Sequence, residues 1–274
     1  MAVKAKWTHE RLARLEAAGS AAGRGLWDLG NSGSIASVKL KDYVTLGSLV
    51  VALCSVVQSF EGHLALASVL VLLGWAFDAA DGLIARLTHT GNAFGAQLDD
   101  LVDHFAYTVA PAFLVFNAYA AYDRWLALAL LVVIVAIGTV RLARAATNPL
   151  HYPGYWIGLP RPAYGFMLIF LVNSSLFPQP GGPLIGVALV AVLGAMSLTR
   201  LPYRNHKRAF KRWQTFALVG TLLVCIALYP LGQMWNGALA LGTIYLFAPL
   251  ITLRSAERAE IARTLTGSSP RHGA

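Results

Sequence analysis

Phe77-Asp78-Ala79-Ala80-Asp81-Gly82-Leu83-Ile84-Ala85-Arg86, followed after a short interval by Gly95-Ala96-Gln97-Leu98-Asp99-Asp100-Leu101-Val102-Asp103-His104, sets five aspartates inside two otherwise apolar segments. Asp78 and Asp81 are three residues apart and Asp99 and Asp103 four apart, so in helices each pair shares a face. Asp100 falls off the Asp99/Asp103 face. Gly91 and Asn92 in the connector mark a turn. The two segments are therefore expected to pack antiparallel with their acidic faces opposed.

The surroundings make those carboxylates expensive. Across 274 residues, 57% are hydrophobic and 13% charged, and the mean hydropathy of +0.58 is that of a membrane protein rather than a soluble globule. Segments near the roughly 20 residues needed to cross a bilayer as helix fall at 43–59, 63–86, 94–120, 124–145, 161–178, 183–202, 213–231 and 236–254. The expected fold class is all-α, a polytopic helical bundle of about eight spans. We read 1–40 as a basic N-terminal segment, 41–254 as one transmembrane domain and 255–274 as a tail.

Charge placement sets the orientation, since Lys and Arg collect at the cytoplasmic ends of spans. With the N-terminus inside, Arg86, Arg141, Arg144 and Arg161 all fall inside, as do the run Arg200 to Arg212 and the tail cations. Only Arg124 falls outside. This predicts cytoplasmic termini and a cytoplasmic membrane location, with the net charge of +9 belonging to the membrane surface rather than to nucleic acid. Trp7, Leu12, Leu15, Leu26 and Trp27 among basic residues fit an amphipathic interfacial helix. The N-terminus lacks a signal-peptide core and cleavage site, so it is expected to remain on the mature protein. Cys54 and Cys225 each stand in an apolar stretch, without metal spacing.

Aspartates at membrane depth need a cation or a wet cavity. Oxygen donors without converging Cys or His favour Mg²⁺ or Mn²⁺ over zinc. Asp78, Asp81, Asp99 and Asp103 suit two such ions about 3.5 to 4 Å apart, the arrangement of phosphoryl-transfer sites. Gly82, Ala85 and Gly95 remove bulk beside them, and Arg86 offers a guanidinium to a phosphate. Ion pairing of these aspartates with Arg86, Arg141 and Arg144 is the structural alternative, but it leaves the glycines without a purpose.

The residues Asp78, Asp81, Gly82, Ala85, Arg86, Gly95, Asp99 and Asp103 together resemble the CDP-alcohol phosphatidyltransferase signature D-x2-D-G-x2-A-R-x8-G-x3-D-x3-D, with every fixed position present. The resemblance implies transfer of a phosphatidyl group from CDP-diacylglycerol to an alcohol, with CMP leaving. It also implies two divalent metals on the four aspartates, and Asp103 as general base. Gly82, Ala85, Arg86, Asn92 and Gly95 would contact the CDP-lipid, as would Thr45 at the start of the first span.

Gly138-Thr139-Val140-Arg141-Leu142-Ala143-Arg144, Gly158-Leu159-Pro160-Arg161-Pro162-Ala163 and Phe94-Gly95-Ala96-Gln97-Leu98-Asp99 resemble stretches of the phosphatidylserine synthase branch. They imply a serine acceptor held by Arg141 and Arg144. Asp100 and Tyr107 depart from that branch and look instead like phosphatidylcholine synthases, where Tyr107 would offer cation-π contact to choline. Expected partners are CDP-diacylglycerol, the acceptor alcohol and the bilayer, with a homodimer as a candidate assembly. A cation-coupled transporter is the reading from another class.

Overall fold

Asp42, Thr45, Ser48, Ala52, Ser55 and Ser59 recur at helical spacing along Leu40–Phe60 (α1), and all are buried. Leu46, Val50, Leu53 and Val57, on its other side, are exposed. A helix that hides its small and polar face and presents its leucines outward is built for lipid, where close backbone approach and interhelical hydrogen bonds replace the hydrophobic drive. The partner is Leu64–Thr88 (α2). Ser48 Oγ donates to the Gly74 carbonyl at 3.0 Å and Ser55 Oγ to that of Ala67 at 2.7 Å. This hairpin sets the height of Asp78 and Asp81 against the first turns of α1.

The computed structural model describes residues 39–88, 93–147, 155–204 and 232–252. Most of the N-terminal segment, the expected 213–231 span and the 255–274 tail lie outside them. After α2 come Ala93–His104 (α3) and a π-helical turn, Phe105–Val109. Ala110–Ala120 (α4) and Arg124–Thr147 (α5) follow. The α3–π–α4 run is one apolar length from Phe94 to Ala120. Asp123 starts α5, its Oδ1 accepting from the backbone N–H of Trp125 at 2.8 Å and of Leu126 at 3.1 Å. That satisfies donors left over at any helix start.

Four of the described helices are long and apolar enough to cross a membrane: Leu40–Phe60, Leu64–Gly82, Phe94–Ala120 and Arg124–Thr147. They coincide with the first four expected spans. Arg161–Asn173 (α6) is 13 residues, ending five residues before the expected boundary, and Gly182–Leu198 (α7) is 17. Met234–Thr252 (α8) contains Pro249.

The all-helix expectation also missed a two-stranded ribbon, Tyr155–Ile157 (β1) against Pro202–Arg204 (β2), antiparallel, with Trp156 opposite Tyr203. It is fixed from below, where the buried Tyr203 hydroxyl donates to the Leu246 carbonyl of α8 at 3.0 Å. Gly158 follows β1 at φ +81°, where a Cβ would stand 2.8 Å from the Ser197 carbonyl oxygen, so the turn into α6 requires glycine. Leu159, Leu168 and Leu171 then pack with Tyr119, Ile134 and Leu193 in the larger core. Ala52, Val71, Tyr107, Leu114 and Ile169 form a second core under the acidic residues.

Candidate active site

Asp78 projects from the C-terminal half of α2, and Asp99 and Asp103 from α3. One carboxylate oxygen from each lies within 4.8 Å of the other two, and all three side chains are half-buried. Three converging oxygen donors without sulfur or imidazole fit a hard divalent cation.

Asp81 does not join them. Only 7% exposed, it accepts the Thr45 hydroxyl on Oδ2 at 2.6 Å. A carboxyl group taken out of water needs donors, and α1 brings one. The expected set of four carboxylates is therefore three around a common point and one held against α1. Thr45, expected to face the nucleotide, is 1% exposed and lies beneath the site with its hydroxyl on Asp81. One turn earlier Lys41 Nζ meets Asp42 Oδ1 at 2.6 Å, and Asp42 Oδ2 accepts from the Lys39 N–H at 2.8 Å.

Two of the residues expected at the acceptor already have protein partners. Tyr107 is 0% exposed and its hydroxyl donates to Asp78 Oδ2 at 3.2 Å, so the ring offers no open face to a trimethylammonium. Arg144 donates through Nη1 to the Leu198 carbonyl at 2.7 Å and through Nη2 to that of Ser197 at 3.3 Å. Its guanidinium caps the C-terminus of α7, where unpaired carbonyls and the helix dipole both favour a cation. Arg141 is half-buried, within electrostatic reach of Arg161 and Arg144.

Arg161 is the residue that motif reading passed over, seeing in it only a cytoplasmic cation. Its Nη2 forms a short ion pair with Asp100 Oδ1, its Nη1 donates to the Asp100 carbonyl at 3.1 Å, and Nη1 stands 3.6 Å from Asp103 Oδ2. The signal was present in Pro160-Arg161-Pro162: prolines fix the helix start, and a cation in a first turn opposes the dipole unless a carboxylate answers it.

Gly95 is buried on α3 and Gly82 half-buried on α2. The side chains of Ala85 and Arg86, and all of Asn92, lie outside the described residues. His104 Nε2 is 3.4 Å from the Thr139 hydroxyl, at the edge of the cluster. The arrangement is an acidic centre whose three carboxylates could hold a cation, with the Arg161 guanidinium beside Asp103.

Residues 39–200 match the family model described as CDP-alcohol phosphatidyltransferase. The chain is 28% identical over 193 residues to a CDP-diacylglycerol–serine O-phosphatidyltransferase of Helicobacter pylori, covering 68% of this chain and 81% of that one. It is 34% identical over 158 residues to a protein of the same name from Methanocaldococcus jannaschii, covering 56% and 72%. An archaetidylserine synthase of Methanothermobacter thermautotrophicus is 32% identical over 159 residues, covering 57% and 67%.

Proposed function

The chain belongs to the CDP-alcohol phosphatidyltransferase family, and from that premise we propose that it transfers the phosphatidyl group of CDP-diacylglycerol to the hydroxyl of L-serine, forming phosphatidylserine and CMP. The observation that carries this reading is the convergence of Asp78, Asp99 and Asp103 within 4.8 Å, on the two helices that hold the family signature.

Asp103 takes the proton of the serine hydroxyl. The serine oxygen bonds to the phosphatidyl phosphorus as the bond from that phosphorus to CMP breaks. A carboxylate in hydrogen-bond reach of the hydroxyl supplies general-base catalysis of about 10² to 10⁴-fold. Asp78, Asp99 and Asp103 would hold the divalent metal, a pair of Mg²⁺ or Mn²⁺ ions in this reading, whose positive charge would offset that of the donor diphosphate and of CMP as it leaves. Gly82, Ala85, Gly95, Arg86 and Asn92 form the CDP side, and Arg141 receives the serine carboxylate. The choline alternative leaned on Tyr107, and the burial of that ring removes its support. The transporter alternative has no comparable geometric support.

The domain at 41–254 crosses the cytoplasmic membrane with both termini and the acidic centre inside, and eight spans return the chain to its starting side. The Lys and Arg distribution supports that orientation. The deciding experiment gives the purified protein CDP-diacylglycerol and Mn²⁺ or Mg²⁺ with serine, choline, inositol or glycerol 3-phosphate singly, and identifies the lipid formed. Phosphatidylserine from serine alone is expected. Phosphatidylcholine from choline, with serine unused, would overturn the assignment.

A further inference from the structure

Tyr107 follows Asp99 and Asp103 at intervals of eight and four residues, which carries it along the acidic face of the third span. It does so inside the π-helical turn Phe105–Val109, a distortion that inserts a residue into the helix and recurs at functional sites. The turn is clamped from two sides. A Cβ on Gly165 of α6 would stand 2.6 Å from the Tyr107 carbonyl oxygen, and one on Gly138 of α5 would stand 2.8 Å from Thr108 Oγ1. The ring is closed off by Phe166, edge-on at 6.1 Å and 86°. With its rotamer fixed by this packing, the hydroxyl reaches out of an otherwise apolar core to Asp78 Oδ2.

We propose that Tyr107 is the positioning residue for Asp78: its hydroxyl holds one oxygen of that carboxylate and thereby sets the orientation in which Asp78 meets Asp99 and Asp103. The inference rests on the reading of these three aspartates as a cation site. Asp78 comes from a different helix than Asp99 and Asp103, and a carboxylate free to rotate would lose the convergence. Outer hydrogen bonds of this kind orient metal ligands, and their removal costs about 10- to 100-fold in metal affinity or activity. Tyr107 touches neither substrate nor ion in this scheme and acts through Asp78.

The test is Mn²⁺ binding to the purified full chain without substrates, followed by the electron paramagnetic resonance signal of free Mn²⁺. Tyr107→Phe deletes only the hydroxyl and keeps the ring's packing. It is expected to weaken Mn²⁺ binding by about tenfold or more, to leave the metal-free melting temperature near wild type, and to recover most of kcat at saturating Mn²⁺. In an Asp78→Asn background the same substitution should cost little more, because the two act as one unit.

Mn²⁺ affinity within about twofold of wild type, or an equal loss in the Asp78→Asn background, would overturn the proposal. So would a wild-type chain that binds no Mn²⁺. A wild type that binds Mn²⁺ yet makes no phosphatidylserine would instead sink the serine assignment, while the Tyr107 result would still be read from the titration.

Discussion

Arg161 grips Asp100 twice, through its carboxylate and its backbone carbonyl, and turns the same Nη1 toward Asp103 at 3.6 Å. The start of α6 is thus tied to α3 beside the residue proposed as general base. The pair is partly open to solvent, with side-chain exposures of 20% and 40%, so its direct worth to stability is small, about 1 kcal/mol or less.

Arg161→Gln and Asp100→Asn should therefore each lower the melting temperature only slightly. Arg161→Gln should cut kcat more, since it removes the cation that faces Asp103. Exchanging the charges, Asp100→Arg with Arg161→Asp, restores the tie between helices but sets a carboxylate against Asp103. The melting temperature should recover and turnover should not. Recovery of both would reduce the pair to a structural link.

Chelation is expected to abolish CMP release, and Mn²⁺ or Mg²⁺ to restore it, because three carboxylates cannot share a cavity with a diphosphate without cations between them. Asp78→Asn, Asp99→Asn and Asp103→Asn should each weaken Mn²⁺ binding more than Asp81→Asn, whose carboxylate is held by Thr45. Equal losses at all four would place Asp81 in the inner set when metal is bound. Full turnover in chelator would remove the metal-dependent reading altogether.

The meeting of Asp78 with Asp99 and Asp103 was legible because helical spacing and the cost of charge in lipid act on the sequence directly, whereas Asp81, set by the same spacing beside Asp78, is held by Thr45 of α1 instead. The first four spans were legible because each is a predominantly apolar stretch of sufficient length. Tertiary partners were not. Thr45 and Asp81 are 36 residues apart and meet only because the serine face of α1 packs on α2. The partners of Arg144 are carbonyls at a helix end 53 and 54 residues away, whose position no local pattern reveals. The short ribbon escaped notice because three-residue strands lie below any periodicity signal, and Pro202 sat within an apolar run.

The two arginines of α5 should separate cleanly. Arg144→Ala removes the cap of α7 and should lower the melting temperature by an amount corresponding to about 1 to 3 kcal/mol, with the KM for serine nearly unchanged. Arg141→Ala should leave stability close to wild type and raise the KM for serine by about tenfold or more, a loss near 1.4 kcal/mol per factor of ten. The reverse pattern would return Arg144 to the acceptor site. A change confined to the KM for CDP-diacylglycerol would move Arg141 to the donor side.

Thr45→Val tests whether α1 serves the site from beneath or touches the nucleotide. The hydroxyl lies 2.6 Å from Asp81 Oδ2, and valine keeps the shape while deleting the donor. The abandoned carboxylate is buried, so a cost of about 1 to 3 kcal/mol is expected, read as a lower melting temperature in the absence of any substrate. Thr45→Ser keeps the donor and should stay near wild type. In an Asp81→Ala background, where no carboxylate remains to be stranded, Thr45→Val should cost much less, the coupling expected of a direct Thr45–Asp81 interaction. If instead Thr45→Val melts like wild type and raises the KM for CDP-diacylglycerol, the hydroxyl belongs to the nucleotide when substrate is bound, and its bond to Asp81 is the partner it gives up.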